Sequence, residues 1–189
     1  MPGTVVKVGG SLFDLPDLGP RLRQRLAGLA PHPVLLVAGG GAAADLVRAW
    51  DRCHGLGDEA AHWLALQAMT LNGGLLAALV PGSMIVGSVA EWVAAAQRGR
   101  PAILDAVAFA RDDEGQPGAL PASWEVTSDS VAARVAVVAA ARELVLLKSI
   151  EVSPQIDWSE AARRGWVDRH FPTVVRGQPL VVRAEKFRP

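Results

Sequence analysis

The chain has 189 residues, half of them hydrophobic and a fifth charged, which suits a globular protein with a real core and excludes a disordered one. Its 19 Lys plus Arg balance 19 Asp plus Glu, so bulk charge supports neither a nucleic-acid nor a membrane-surface partner. The single cysteine, Cys53, excludes an internal disulfide and fits a reducing cytoplasm; no signal peptide and no membrane-length apolar run is expected.

The first predicted element is a short buried strand, Thr4-Val5-Val6-Lys7-Val8, mostly β-branched but carrying one lysine. It runs into Gly9-Gly10-Ser11, a turn whose backbone can press against a ligand and whose N–H groups suit phosphate oxygens. The plainer alternative is a Gly-Gly turn beside a solvated lysine. A helix through Leu18, Leu22, Leu26 and Leu29 is expected next, capped by Asp17 and closed by Pro31 and Pro33. Val34 to Ala38 is a continuous apolar run, as in a parallel strand covered on both faces, and it meets Gly39-Gly40-Gly41 before a helix from Ala42 to Trp50. Strand, glycine turn and helix thus occur twice, and a doubly wound α/β fold accommodates that pattern best.

Cys53 to Gly57 reads as a break. A long helix follows from Asp58 to about Val80, interrupted near Asn72-Gly73-Gly74. A short strand is expected at Ser83–Val86, a helix at Val89–Gln97 and another strand at Ala102–Ala108. The polar stretch from Arg111 to Ala122, with Gly115, Pro117, Gly118 and Pro121, is the clearest loop. A helix from Ser128 to Ala141, a strand from Leu144 to Leu147 ending at Lys148, and a short helix from Ser159 to Arg164 complete the regular pattern. Thr173–Arg176 and Leu180–Arg183 around Gly177-Gln178-Pro179 read as a hairpin or two edge strands. With no linker or repeat, residues 1–189 are expected to form one compact domain.

Several short patterns could carry chemistry. Gly39-x-Gly41-x-x-Ala44 fits a dinucleotide fingerprint locally, but the acidic partner wanted about 20 residues on falls on Asp58 and Glu59 at a helix start rather than a strand end. The anion-binding character of that helix start survives whatever the ligand is. Thr127 or Ser128 can cap the helix that follows them, and a cap alone is the plainer reading of Thr127-Ser128-Asp129-Ser130. Asp129 could also orient lysines, because Lys7 and Lys148 both end strands and ligands of open α/β sheets bind outside those ends. Two lysines, one aspartate and two sets of backbone donors meet the needs of phosphoryl transfer, which relies on charge neutralisation more than on covalent help. A P-loop is excluded, since the lysine precedes its glycines. His54, Asp58 and His62 lie together in sequence; a polar cap, acceptor-binding residues and a metal site are the readings, with no metal motif evident.

Lys7-Val8-Gly9-Gly10-Ser11, the strand and glycine triplet from Val34 to Gly41, and Thr127-Ser128-Asp129-Ser130 followed by Leu147-Lys148-Ser149 resemble the amino acid kinase family, in the family's order. That family includes acetylglutamate, aspartate, carbamate and uridylate kinases. The resemblance implies a three-layer αβα sandwich with a mainly parallel sheet, ATP with Mg2+, a small-molecule acceptor and a homo-oligomer. By matched position it implies that Lys7 and Lys148 steady the transferring phosphoryl group and that Asp129 holds them. Gly9, Gly10 and Ser11, with Ser149 and Glu151, would take the donor, while Gly39, Gly40, Gly41 and Ser128, with His54 and His62, would face the acceptor. The chain departs from the family after Lys148, where Ile150-Glu151-Val152-Ser153-Pro154 replaces a Thr-Asp-x-Asp-Gly-like segment and the nucleotide-binding part from about 149 is short. Those departures leave a second expectation, a kinase fold that has lost turnover and senses a nucleotide or metabolite. Among small members, the length, Trp124–Ser130 and Gly165-Trp166-Val167-Asp168 are most similar to aminomethylfuran phosphate kinases of methanofuran-type cofactor synthesis.

Overall fold

In the computed structural model, which describes residues 3–189, six strands run parallel in one sheet. They are β1 (Thr4–Val8), β2 (Val34–Ala38), β3 (Met84–Val86), β4 (Ala102–Leu104), β5 (Glu143–Lys148) and β6 (Val181–Lys186), in the order β3-β4-β2-β1-β5-β6. The helices are α1 (Leu18–Ala27), α2 (Gly41–His54), α3 (Gly57–Leu79), α4 (Val89–Gln97), α5 (Ala106–Asp113), α6 (Ser128–Val138), α7 (Trp158–Arg163) and α8 (Phe171–Val175). The α/β class expected from the repeated strand–glycine–helix pattern, and the three-layer sandwich implied by the resemblance, are the architecture observed.

The strand period of two builds the layers. Val5, Leu35, Val37, Leu144 and Leu146 face one core, which Leu66, Met69, Phe109, Val131, Val135 and Phe171 fill from the helices. Val6, Val8, Leu36, Val145 and Leu147 face the other, against Leu12, Leu18, Leu22 and Leu76. Every residue of β1 and β2 is buried, so β2 reads as an unbroken apolar run and β1 as one broken only by Thr4 and Lys7. The long α3 serves both layers, giving Leu66 and Met69 to one core and Leu76 to the other. It passes the C-terminal edge of the sheet at Gly73, where a Cβ would lie 3.4 Å from the Leu104 carbonyl oxygen.

Several elements differ from expectation, each for a local reason. The strand expected over Ala102–Ala108 stops at Leu104, because the Asp105 carboxylate accepts bonds from Val107 N (3.1 Å) and Ala108 N (3.2 Å) and starts α5. That helix also takes the beginning of the expected Arg111–Ala122 loop. No break occurs at Asn72-Gly73-Gly74, since tertiary packing holds α3 through it. The break expected at Cys53–Gly57 shrinks to Gly55 and Leu56, with Gly55 at φ +61° ending α2. Asp17 precedes α1 but caps no amide; it pairs with Arg21 at 2.6 Å. Of the hairpin or two edge strands expected near the end, one edge strand forms: residues 171–175 are helical, while β6 lies at the edge of the sheet, parallel to β5 with Val182 opposite Leu144.

Candidate active site

Period and register decide where the two lysines point. Lys7 lies beside Val37 and Leu146 in the ladder and shares their parity, while Lys148 ends β5 on the parity of Leu144 and Leu146. Both therefore leave the sheet on the α6 side. They flank the place where the chain order reverses, since β1 is followed by β2 on one side and joined by β5 on the other. Crevices in such sheets open outside the strand ends at that point.

α6 brings Asp129 to the same spot. Its carboxylate sits 3.0 Å from Lys7 Nζ and 2.7 and 2.8 Å from Lys148 Nζ. All three side chains are buried, with relative exposures of 6%, 7% and 11% for Lys7, Asp129 and Lys148. Burial pushes the Asp129 carboxyl up, but the charges of Lys7 and Lys148 overcome it and hold the group below the usual carboxylate range. Burial also lowers Lys148, to about 8; the positive charge of Lys7 adds to that effect and Asp129 opposes it. Two ammonium groups around one carboxylate leave a net positive site in a partly dry setting, where charge acts strongly.

Two glycine turns frame this triad. The strand amides are used for closure: Gly9 N donates to Leu147 O (3.0 Å) and Gly39 N to Val8 O (2.8 Å). The turns then pack backbone against backbone. A Cβ on Gly10 would lie 2.4 Å from Gly41 N, and one on Gly39 would lie 2.5 Å from Gly10 N. Gly41 itself has φ +50° at the start of α2. Asn72 of α3 holds the second turn from behind, donating to the carbonyls of Gly39 (2.7 Å) and Gly40 (2.8 Å). Ser11 Oγ donates to Ser149 Oγ at 3.1 Å, so these two expected donor-side residues meet, while Glu151 is exposed and makes no side-chain contact of note.

A cleft opens beside the second turn, lined by Gly10, Gly40, Gly41, Arg48, His62, Trp124, Thr127 and Ser128, with Ala65, Leu66, Met69 and Val131 as its apolar wall. The N-termini of α2 and α6 both reach it, and their first amides lack helical partners. Arg48 stacks over the Trp124 ring at 5.0 Å, and Trp124 Nε1 donates to Asp51 at 2.8 Å, which fixes the indole. His62 is half-buried, and burial keeps its imidazole below the ordinary value, hence neutral near pH 7. His54 does not join it; it is exposed at the end of α2 and lines no part of this cleft. Among the described residues no group of three potential metal ligands occurs.

The cap of α6 comes from elsewhere in the chain. Neither Thr127 nor Ser128 caps it with its own side chain. Asp168 does so across the fold, accepting from Thr127 N (3.0 Å), Thr127 Oγ1 (2.8 Å), Ser130 N (2.9 Å) and Ser130 Oγ (2.5 Å). It also accepts from His170 N and Phe171 N at the start of α8. Asp168 is thus the positioning residue for Asp129, and local sequence could not reveal it: its partners lie 38 and 41 residues upstream. Asn72 and Arg48 likewise act on residues far along the chain, and only the polar Asn72 inside an apolar helix carries a local signal.

Comparison with known proteins adds the following. The family model described as "Amino acid kinase family" matches residues 3–152. No curated protein matches by sequence. Solved structures of similar fold include uridylate kinase from Archaeoglobus fulgidus (TM-score 0.70, 15% identity, 95% of this chain and 88% of that one). UMP kinase from Ureaplasma parvum is similar at TM-score 0.70 and 14% identity, over 99% of this chain and 91% of that one. UMP kinase from Bacillus anthracis gives TM-score 0.67 and 15% identity, over 99% and 88%.

Proposed function

The chain belongs to the amino acid kinase family, and from that premise we propose that it transfers the γ-phosphoryl group of ATP to a small anionic acceptor. The observation that carries this is the buried Lys7–Asp129–Lys148 triad between two glycine turns at the switch point of the sheet. In the reaction the acceptor oxygen forms a bond to the γ-phosphorus as the bond to the β–γ bridging oxygen breaks, and ADP leaves. Lys7 and Lys148 neutralise charge on the transferring oxygens, while Asp129 keeps both ammonium groups aimed and is itself no base, being held ionised by them. The turn at Gly9, Gly10 and Ser11, with Ser149, receives the donor phosphates. The cleft at Gly40, Gly41 and Ser128, with Arg48 and His62, receives the anionic end of the acceptor.

Magnesium enters on the nucleotide. Asp129 is committed to two lysines, and among the described residues no set of ligands stands ready for a metal of the protein's own. That fits a Mg2+ held chiefly by phosphates and water. His54, placed away from the cleft, has no part in this reading. The resemblance to aminomethylfuran phosphate kinases names the first acceptor to screen, and UMP, from the names of the solved neighbours, the second. Exposed Leu46 and Trp50 on α2 and Leu71 and Leu75 on α3 support a homo-oligomer.

The test is ATP consumption with a panel of small phosphate monoesters and carboxylates, run beside Lys7→Ala. ADP formed only with one acceptor class, and lost by at least 100-fold in the variant, is the expected result. Binding of Mg·ATP with no acceptor turned over would favour a nucleotide sensor, and turnover surviving in Lys7→Ala would refute the mechanism.

A further inference from the structure

The donor side of the site lacks what its family pattern supplies. Ile150-Glu151-Val152-Ser153-Pro154 follows Lys148, and Ile150 and Glu151 are exposed instead of folding over the turn at Gly10. A different part of the chain reaches that turn. β6 runs parallel beside β5, with Lys186 opposite Lys148, so its end arrives at the same edge of the sheet as the two active lysines. Phe187 N then donates to Lys148 O at 2.7 Å, and the Phe187 ring packs against the core beneath the turn. These contacts set the direction of the next residue. Arg188 Nη2 donates to the backbone oxygen of Ser11 and pairs with Asp14, both at 2.5 Å.

We propose that Arg188 is a donor-phosphate ligand, so that the nucleotide site of this chain is completed by the segment after β6 and not by the segment after Lys148. This rests on the kinase reading above. The chemistry is suited to it: a guanidinium carries a planar fork of five donors that matches phosphate oxygens, and both bonds made here use Nη2, leaving Nε and Nη1 for a ligand. The side chain is 36% exposed, so it can turn toward an arriving polyphosphate. Asp14, 70% exposed, is a weak holder that a charged phosphate displaces. The arginine therefore waits on the rim of the turn, its backbone already anchored, at little ordering cost.

Calorimetric titration separates this from a merely structural clamp. The wild type, Arg188→Ala, Arg188→Lys and Asp14→Ala are each titrated with Mg·ATP and with adenosine, thermal midpoints being recorded alongside. The expected result is that Arg188→Ala weakens Mg·ATP at least tenfold, Arg188→Lys restores part of the loss, and adenosine binds all four proteins alike. Asp14→Ala, which removes the competing carboxylate, should tighten Mg·ATP about two- to fivefold. Arg188→Ala within twofold of wild type for Mg·ATP, or an equal loss for adenosine, overturns the proposal while leaving the kinase reading intact. So does a weakening in Asp14→Ala, which would mean that the pair only clamps the turn. A wild type that binds no Mg·ATP at millimolar nucleotide overturns both.

Discussion

In the proposed mechanism Lys148 must be charged, yet its charge is insecure in the fold. Burial and the neighbouring Lys7 charge bring it to about 8, against the pull of Asp129. Turnover is expected to hold up to near pH 8 and to fall above it as the ammonium is lost, which a pH–rate profile reads directly. Stability should move the other way. Between about 8 and the model-peptide value of 10.5 the unfolded chain binds more protons at this residue than the folded one, so this group makes folding more favourable as pH rises through that window. A rate that falls while the thermal midpoint does not fall with it would separate the chemistry from unfolding. Asp129 tests the other half of the triad. Asp129→Ala strands two buried ammonium groups and should cost about 3–5 kcal/mol in a denaturant titration. Asp129→Asn keeps the shape and one acceptor oxygen but also loses the charge, so it should cost less stability than Asp129→Ala while its initial rate drops at least 100-fold.

At the scale of elements, the site depends on how α6 and the two glycine turns are held. Asp168 accepts six bonds from the start of α6 and the start of α8, so Asp168→Ala removes partners from buried donors at both. The expected loss is about 3 kcal/mol or more, since each orphaned buried donor costs ~1–3 kcal/mol. Because α6 carries Asp129, the rate should fall further than stability accounts for, and a denaturant midpoint measured with initial rates would show it. Gly10 makes the complementary case. Its missing Cβ is what lets the turn after β1 sit on the backbone of Gly41, so Gly10→Ala must push the turns apart. Loss of both donor and acceptor binding, read by two titrations, is the expected outcome, whereas a solvated turn would tolerate the change. The strands and most helices were legible because apolar runs, glycine punctuation and proline stops act locally. Of the hairpin or two edge strands expected near the end only one edge strand forms, for a physical reason: a segment such as Val181–Lys186 carries no mark of which neighbour it will pair with, and an open edge of β5 was available to it.

Across the whole molecule, the sheet buries β1, β2 and β5 between two cores and leaves β3 and β6 at its edges. Hydrogen exchange should follow that order, with amides of β1 and β5 opening only with the whole fold and those of β3 exchanging through local opening. Equal protection throughout would contradict the layering. Part of the candidate site was written in the chain itself: Lys7 stands one residue before the end of a strand, Lys148 ends one and Asp129 lies in the first turn of a helix, while the pairing of β1 with β5 puts both lysines on one face. What sequence alone determined is therefore the α/β class and the two glycine turns, because these follow from residues a few positions apart, together with the short motifs whose charges the fold then brings together. What only the tertiary structure decided is which distant groups support them, namely Asp168 capping α6, Asn72 behind the second turn, Arg48 and Trp124 in the cleft and Arg188 bonded to the turn after β1. Their partners lie from about thirty to more than 170 residues away, and such contacts exist only once burial of the apolar strands has folded the chain back on itself.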